Sequence, residues 1–179
     1  MTLEKQITLT PFERLSLMNQ LSILKHLDPE NSEHYEDQIE ILHGGYTIMY
    51  GELFKTVFEE MDVDECKYVF DVLDMFRALI NSFEALEDKQ GLTAEDVQFE
   101  GFDGNNETKR WAFAEYLQEA GRWKETLVGG MDSHSIMTMH RYPQMLERYE
   151  PIKQKILDSH MGKWQLTAEQ IKEVVGKED

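Results

Sequence analysis

Asp103 and Glu107, in the stretch "FEGFDGNNETKRW" from Phe99 to Trp111, are the side chains best suited to serve as an acid–base group. Tyr116, Arg122 and Trp123 follow on the next helical segment. Gly121 thins the surface there, and Arg122 would clamp an anionic ligand. Together they would furnish the pocket of an enzyme or a small-ligand sensor between the 99–107 loop and the 116–123 segment. The same loop also fits a structural role. Gly101 and Gly104 permit positive φ, Asn105 or Asn106 caps the following helix, and Glu107 in its first turn suits the helix dipole.

A calcium loop is excluded by spacing. Counted from Asp103, an EF-hand needs glycine at the sixth position and glutamate at the twelfth, where Thr108 and Ala114 stand. His134 and His140 are six residues apart beside Asp132, and helical metal ligands want three or four. His34, His43 and His160 have no partner at a useful spacing, and no hydrolase signature is present. Gly44-Gly45 and Gly129-Gly130 lack the following lysine of a phosphate cradle. Cys66, the single cysteine, falls on an apolar stripe and reads as a small buried hydrophobe. The expectation is no metal and no cofactor.

Helical spacing runs through most of the chain and no stretch alternates as a strand, which makes the protein all-α. A first helix opens at a capping box, Thr10 to Glu13, with Pro11 in its first position. Phe12, Leu15, Met18, Leu21 and Leu24 line one face, widened by Leu17 and Leu27, and Asp28-Pro29 ends it. A second turns Tyr35, Ile39 and Leu42 inward and closes at Gly44-Gly45. A third, from about Thr47, would bury Met49, Tyr50, Leu53, Phe54, Val57 and Met61. A long central helix over about 64–88, capped by Asp64 and ending near Gly91, carries Val69, Phe70, Leu73, Phe76, Ile80 and Phe83. "LTAEDV" (Leu92 to Val97) and "LTAEQI" (Leu166 to Ile171) each offer a threonine cap and a leucine staple. Further helices are expected from about Asn106, with Phe113, Tyr116, Leu117 and Ala120 inward, and from Pro143, kinked at Pro151. A short one closes the chain. Residues 1–179 read as a single helical domain, with room for two lobes and a break near 89–105.

The formal net charge of -17 repels phosphate backbones and argues against nucleic acid. Residues 28–65 concentrate twelve Asp or Glu against Lys55 alone, which reads as a solvated face, a dock for a basic protein, or a divalent-cation surface. No apolar run is long enough for a membrane span and the start has no signal-peptide core; with the lone cysteine, this leads to a cytoplasmic expectation.

"ERLSLMNQLSILKHLDPENSEHY", "GGY" at Gly44 to Tyr46, "GFD" at Gly101 to Asp103, "GR" at Gly121-Arg122, "YPQML" at Tyr142 to Leu146 and "LTAEQI" resemble the YfbU family in order and spacing. The resemblance implies a helical hairpin plus a second helical unit and a bacterial, cytosolic setting. It supplies no activity and no residues to carry over. Extensions at both ends and the prolines at 143 and 151 depart from the family pattern. The broad apolar stripes of the first and central helices exceed what one neighbour covers, so the leading expectation is a non-enzymatic homo-oligomer acting through protein contacts.

Overall fold

The computed structural model describes residues 7–129, 136–158 and 164–177. They are helical, with no strand among the described residues. The chain divides between Glu60 and Met61 into two compact units, so the segment 89–105, where the sequence allowed a break, lies inside the second.

The first unit is a hairpin of α1 (Pro11–Leu27) and α2 (Ser32–Gly44), followed by the single turn α3 (Tyr50–Leu53). Glu13 N–H donates to Thr10 Oγ1 at 3.2 Å, and Thr10 N–H donates to the Glu13 carboxylate at 2.7 Å, completing the capping box. At the corner, Asp28 accepts from Asn31 and from the Tyr35 hydroxyl, which together hold its carboxyl below the usual range. Arg14 donates to the Leu42 carbonyl at 3.0 Å and Lys25 pairs with Glu36 at 2.9 Å, joining the two helices. Gly45 ends α2 at φ 66, a conformation that disfavours any residue with a Cβ.

One expectation fails here. The third helix stops at Leu53, leaving Met49, Val57 and Phe58 exposed. β-branched Thr56 and Val57 resist helix, and acids at 59, 60 and 62 oppose the negative end of its dipole. The α1 stripe, read as broader than one neighbour covers, has no fully enclosed residue, and Phe12 is 77% exposed.

The second unit is built around α4 (Val63–Ala85), which buries Val69, Val72, Leu73, Met75, Phe76 and Leu79. Asp62, not Asp64, is the cap, accepting from Asp64 N–H at 2.8 Å. The helix stops at Ala85, six residues before Gly91, because Lys89 folds back onto the carbonyls of Phe83, Glu84 and Leu86. α5 (Ala94–Val97), α6 (Thr108–Glu119), α7 (Ile136–Asp158) and α8 (Ala168–Val175) surround it.

α7 begins at Ile136 rather than at Pro143 and contains both prolines. Thr138, Tyr142, Met145, Tyr149 and Ile152 form one buried stripe that crosses them, so burial outweighs the two hydrogen bonds that proline cannot make. The two LTAE caps form as expected: Thr93 with Asp96, and Thr167 with Gln170. The short helices α5 and α8 pack against each other, and Lys177 binds the Gly91 carbonyl at 3.0 Å and Asp96 at 2.7 Å. Burial pushes the Asp96 carboxyl up, but its bonds from Lys177 and Thr93 outweigh that and leave it below the usual range.

Candidate functional site

The 99–107 loop is anchored from below by aromatic rings. Phe99 and Phe102 are fully buried, 5.4 Å apart, and both meet Tyr142 of α7. The Tyr142 hydroxyl donates to the Gly101 carbonyl at 2.9 Å and accepts from Glu100 N–H at 3.2 Å. Burial drives that hydroxyl far above the ordinary tyrosine range. Gly101 adopts φ 97, which turns the chain so that Phe99 and Phe102 can both point inward.

Asp103 and Glu107 sit on this anchor, both nearly enclosed. The Asp103 carboxylate accepts from Asn105 N–H at 3.0 Å and from the Asn106 side-chain amide at 2.5 Å. Glu107 accepts from Asp103 N–H at 3.2 Å and from Arg110 at 2.7 Å. The helix cap is therefore not the Asn105 or Asn106 side chain. α6 starts at Thr108, and the two carboxylates hold the turn in front of it. Arg110 also reaches Glu65 at 3.5 Å and lies 4.4 Å from the Tyr68 ring. Beside this network an open cleft of about 300 Å³ is lined by Glu65, Asn106, Glu107, Thr108, Arg110 and Met139, among others.

Tyr68 pays for this packing: its hydroxyl is buried without a hydrogen-bond partner, and burial pushes it up to about 12 against the opposing Arg110 charge. Tyr68→Phe removes the orphaned oxygen while keeping the ring under Arg110. Thermal unfolding is expected to shift upward by about 2–4 °C, corresponding to about 1 kcal/mol. A fall in Tm would show that the hydroxyl is satisfied in solution.

Arg122 and Trp123 belong to a second cluster. α6 ends at Glu119, and the chain turns back through Gly121 at φ 74 and Trp123 at φ 47. The Trp123 ring stacks on Phe70 at 5.2 Å, has the guanidiniums of Arg77 and Arg122 each 5.0 Å from its centre, and donates to Asp74 at 2.7 Å. Tyr116 is 61% exposed and joins only through a ladder of rings: Tyr116 on Phe113, Phe113 on Phe70. Ala120 is exposed as well, so the inward face of α6 is narrower than the sequence suggested. None of Tyr116, Arg122 and Trp123 lines the cleft beside Glu107. The structure thus brings Asp103 to Glu107, and Arg122 to Trp123, as two separate clusters of one unit.

Sequence reasoning missed Arg110, Glu65 and Tyr68 around Glu107, and Asp74, Arg77 and Phe70 around Trp123. The spacings Glu107/Arg110 and Asp74/Arg77, three residues apart on helices, were the available signal. A second open cleft, about 320 Å³, is lined by Asp74, Arg77, Asn81, Tyr149, Lys153 and Trp164, among others. It too escaped the sequence, since its walls come from three separated segments. Among the described residues no three His, Cys, Asp or Glu side chains are grouped to hold a metal, and no helix is long and apolar enough to cross a membrane.

Fold and site together define an all-helical protein made of a helical hairpin and a second unit wrapped around one long helix. The sequence matches the YfbU domain over residues 7–176, and the chain belongs to that family. It is 31% identical over 169 residues to the UPF0304 protein MJECS11 of Methanocaldococcus jannaschii, covering 93% of this chain and 98% of that protein. It is also 32% identical over 145 residues to the UPF0304 protein MS2240 of Mannheimia succiniciproducens, covering 79% of this chain and 87% of that one.

Proposed function

We propose that this is a non-enzymatic cytosolic protein that self-associates and acts through protein contacts, with the hairpin of residues 7–60 as its contact module. One observation carries the reading. Among the described hydrophobic residues of that unit, only Leu42 and Tyr50 are buried, while ten large apolar side chains stay exposed. A unit of this size with so little enclosed apolar surface does not offset the entropy of ordering its chain, so it gains stability by covering that surface with another molecule. The commitment of Asp103 and Glu107 to their own loop and to Arg110 supports the non-enzymatic part. The acid-rich residues 28–65 add a dock for a basic protein partner.

Light scattering on the full chain is expected to give a mass at least twice the 21.1 kDa of one chain. Ile23→Glu places a charge on the exposed face of α1, and is expected to return the mass to one chain with helix content kept. A folded protein that stays monomeric at high concentration would remove this reading.

A further inference from the structure

α1 has two apolar faces. Leu17, Met18 and Leu21 are half-buried on the hairpin side. Phe12, Leu15, Ile23 and Leu27 lie roughly half a turn away around the axis and are 77%, 55%, 59% and 75% exposed. At their centre stands Asn19, also exposed. The stripe 12, 15, 19, 23, 27 recurs at three and four residues, the spacing of a helix seam.

This stripe is self-complementary about Asn19. Leu15 and Ile23 lie four residues to either side. Phe12 and His26 lie seven residues to either side, with Leu27 next to His26. We propose that α1 packs antiparallel on α1 of a second copy across a twofold axis beside Asn19, setting Leu15 against Ile23 of the other chain. This rests on the self-association proposed above and specifies its surface.

Charge favours a second copy at this face, and the helix dipoles set its direction. α1 carries Glu13 against Arg14 and Lys25, whereas residues 28–65 carry twelve acids against one lysine. In a chain of net charge -17, α1 is where two copies approach without acidic repulsion. A parallel pair would align the two helix dipoles; the antiparallel pair opposes them. Two Asn19 amides meeting at the axis donate to and accept from each other, a polar pair that fixes register.

The test uses full-length chains with Cys66→Ala and one new cysteine each, under mild oxidation. Asn19→Cys is expected to cross-link with itself. Leu15→Cys and Ile23→Cys are each expected to cross-link poorly alone and efficiently when mixed. As a second variant, Asn19→Asp sets two carboxylates face to face, expected to weaken dimerisation about tenfold at neutral pH and to recover in acid. Self-linking of Leu15→Cys with no gain on mixing, or an Asn19→Asp dimer as tight as the unaltered one, overturns the antiparallel pairing while a dimer mass leaves self-association standing. A monomeric unaltered chain overturns both.

Discussion

Trp123→Ala is expected to destabilise the second unit by about 3–5 kcal/mol, the range for removing a large buried aromatic side chain. The ring is only 8% exposed and ties the turn after α6 to α4 by stacking on Phe70 and by its bond to Asp74. A second variant separates side chain from backbone. Trp123 holds φ 47, a left-handed conformation that costs a residue with a Cβ about 1–2 kcal/mol and glycine almost nothing. Trp123→Gly is therefore expected to be more stable than Trp123→Ala by about 1 kcal/mol, the reverse of the usual order in a helix or strand. Denaturant unfolding followed by far-UV circular dichroism measures both. A glycine variant less stable than the alanine one would show that the backbone is not held left-handed there.

Phe102→Ala is expected to cost a similar 3–5 kcal/mol, with consequences that reach the polar loop. Phe102 is fully buried against Phe99, Tyr142 and Tyr68, and it directly precedes Asp103. Asp103→Ala removes the acceptor for Asn105 N–H and the Asn106 amide and is expected to cost less, about 1–3 kcal/mol. The ordering separates two accounts of the loop. If the aromatic anchor folds it and the carboxylates trim the turn, Phe102→Ala is the more damaging. If Asp103→Ala is the more damaging, the polar network carries the loop instead.

Both expectations depend on contacts between segments far apart in sequence, and that is where sequence reading reached its limit. The threonine caps at Thr10, Thr93 and Thr167 were legible, and the start of α4 was placed within two residues though at the wrong aspartate, because each depends on residues within one turn of helix. The end of α4 was not. Gly91 has the left-handed φ expected of a helix stop, yet Lys89 already occupies the carbonyls of Glu84 and Leu86, where the helix ends at Ala85. α7 shows the same limit. Two prolines argue locally for breaks at 143 and 151, and only a core that receives Tyr142, Met145 and Tyr149 from one side makes continuous helix the better solution.

For the candidate site, composition and spacing picked out Asp103, Glu107, Arg122 and Trp123 as chemically notable. They could not say that the first two bond within one turn, or that the others close a different cluster. Glu65 reaches Arg110, and Asp74 reaches Trp123, through three-dimensional proximity, for which periodicity carries no information. For α1, apolar residues on more than one face were visible in the sequence, but which face meets α2 and which stays open was not. The sequence by itself determined an acidic all-helical chain of the YfbU family, since helix periodicity, caps and net charge are local or additive. Tertiary structure decided which apolar faces are covered and what the buried carboxylates touch, because burial depends on what packs against a residue and not on its neighbours in the chain.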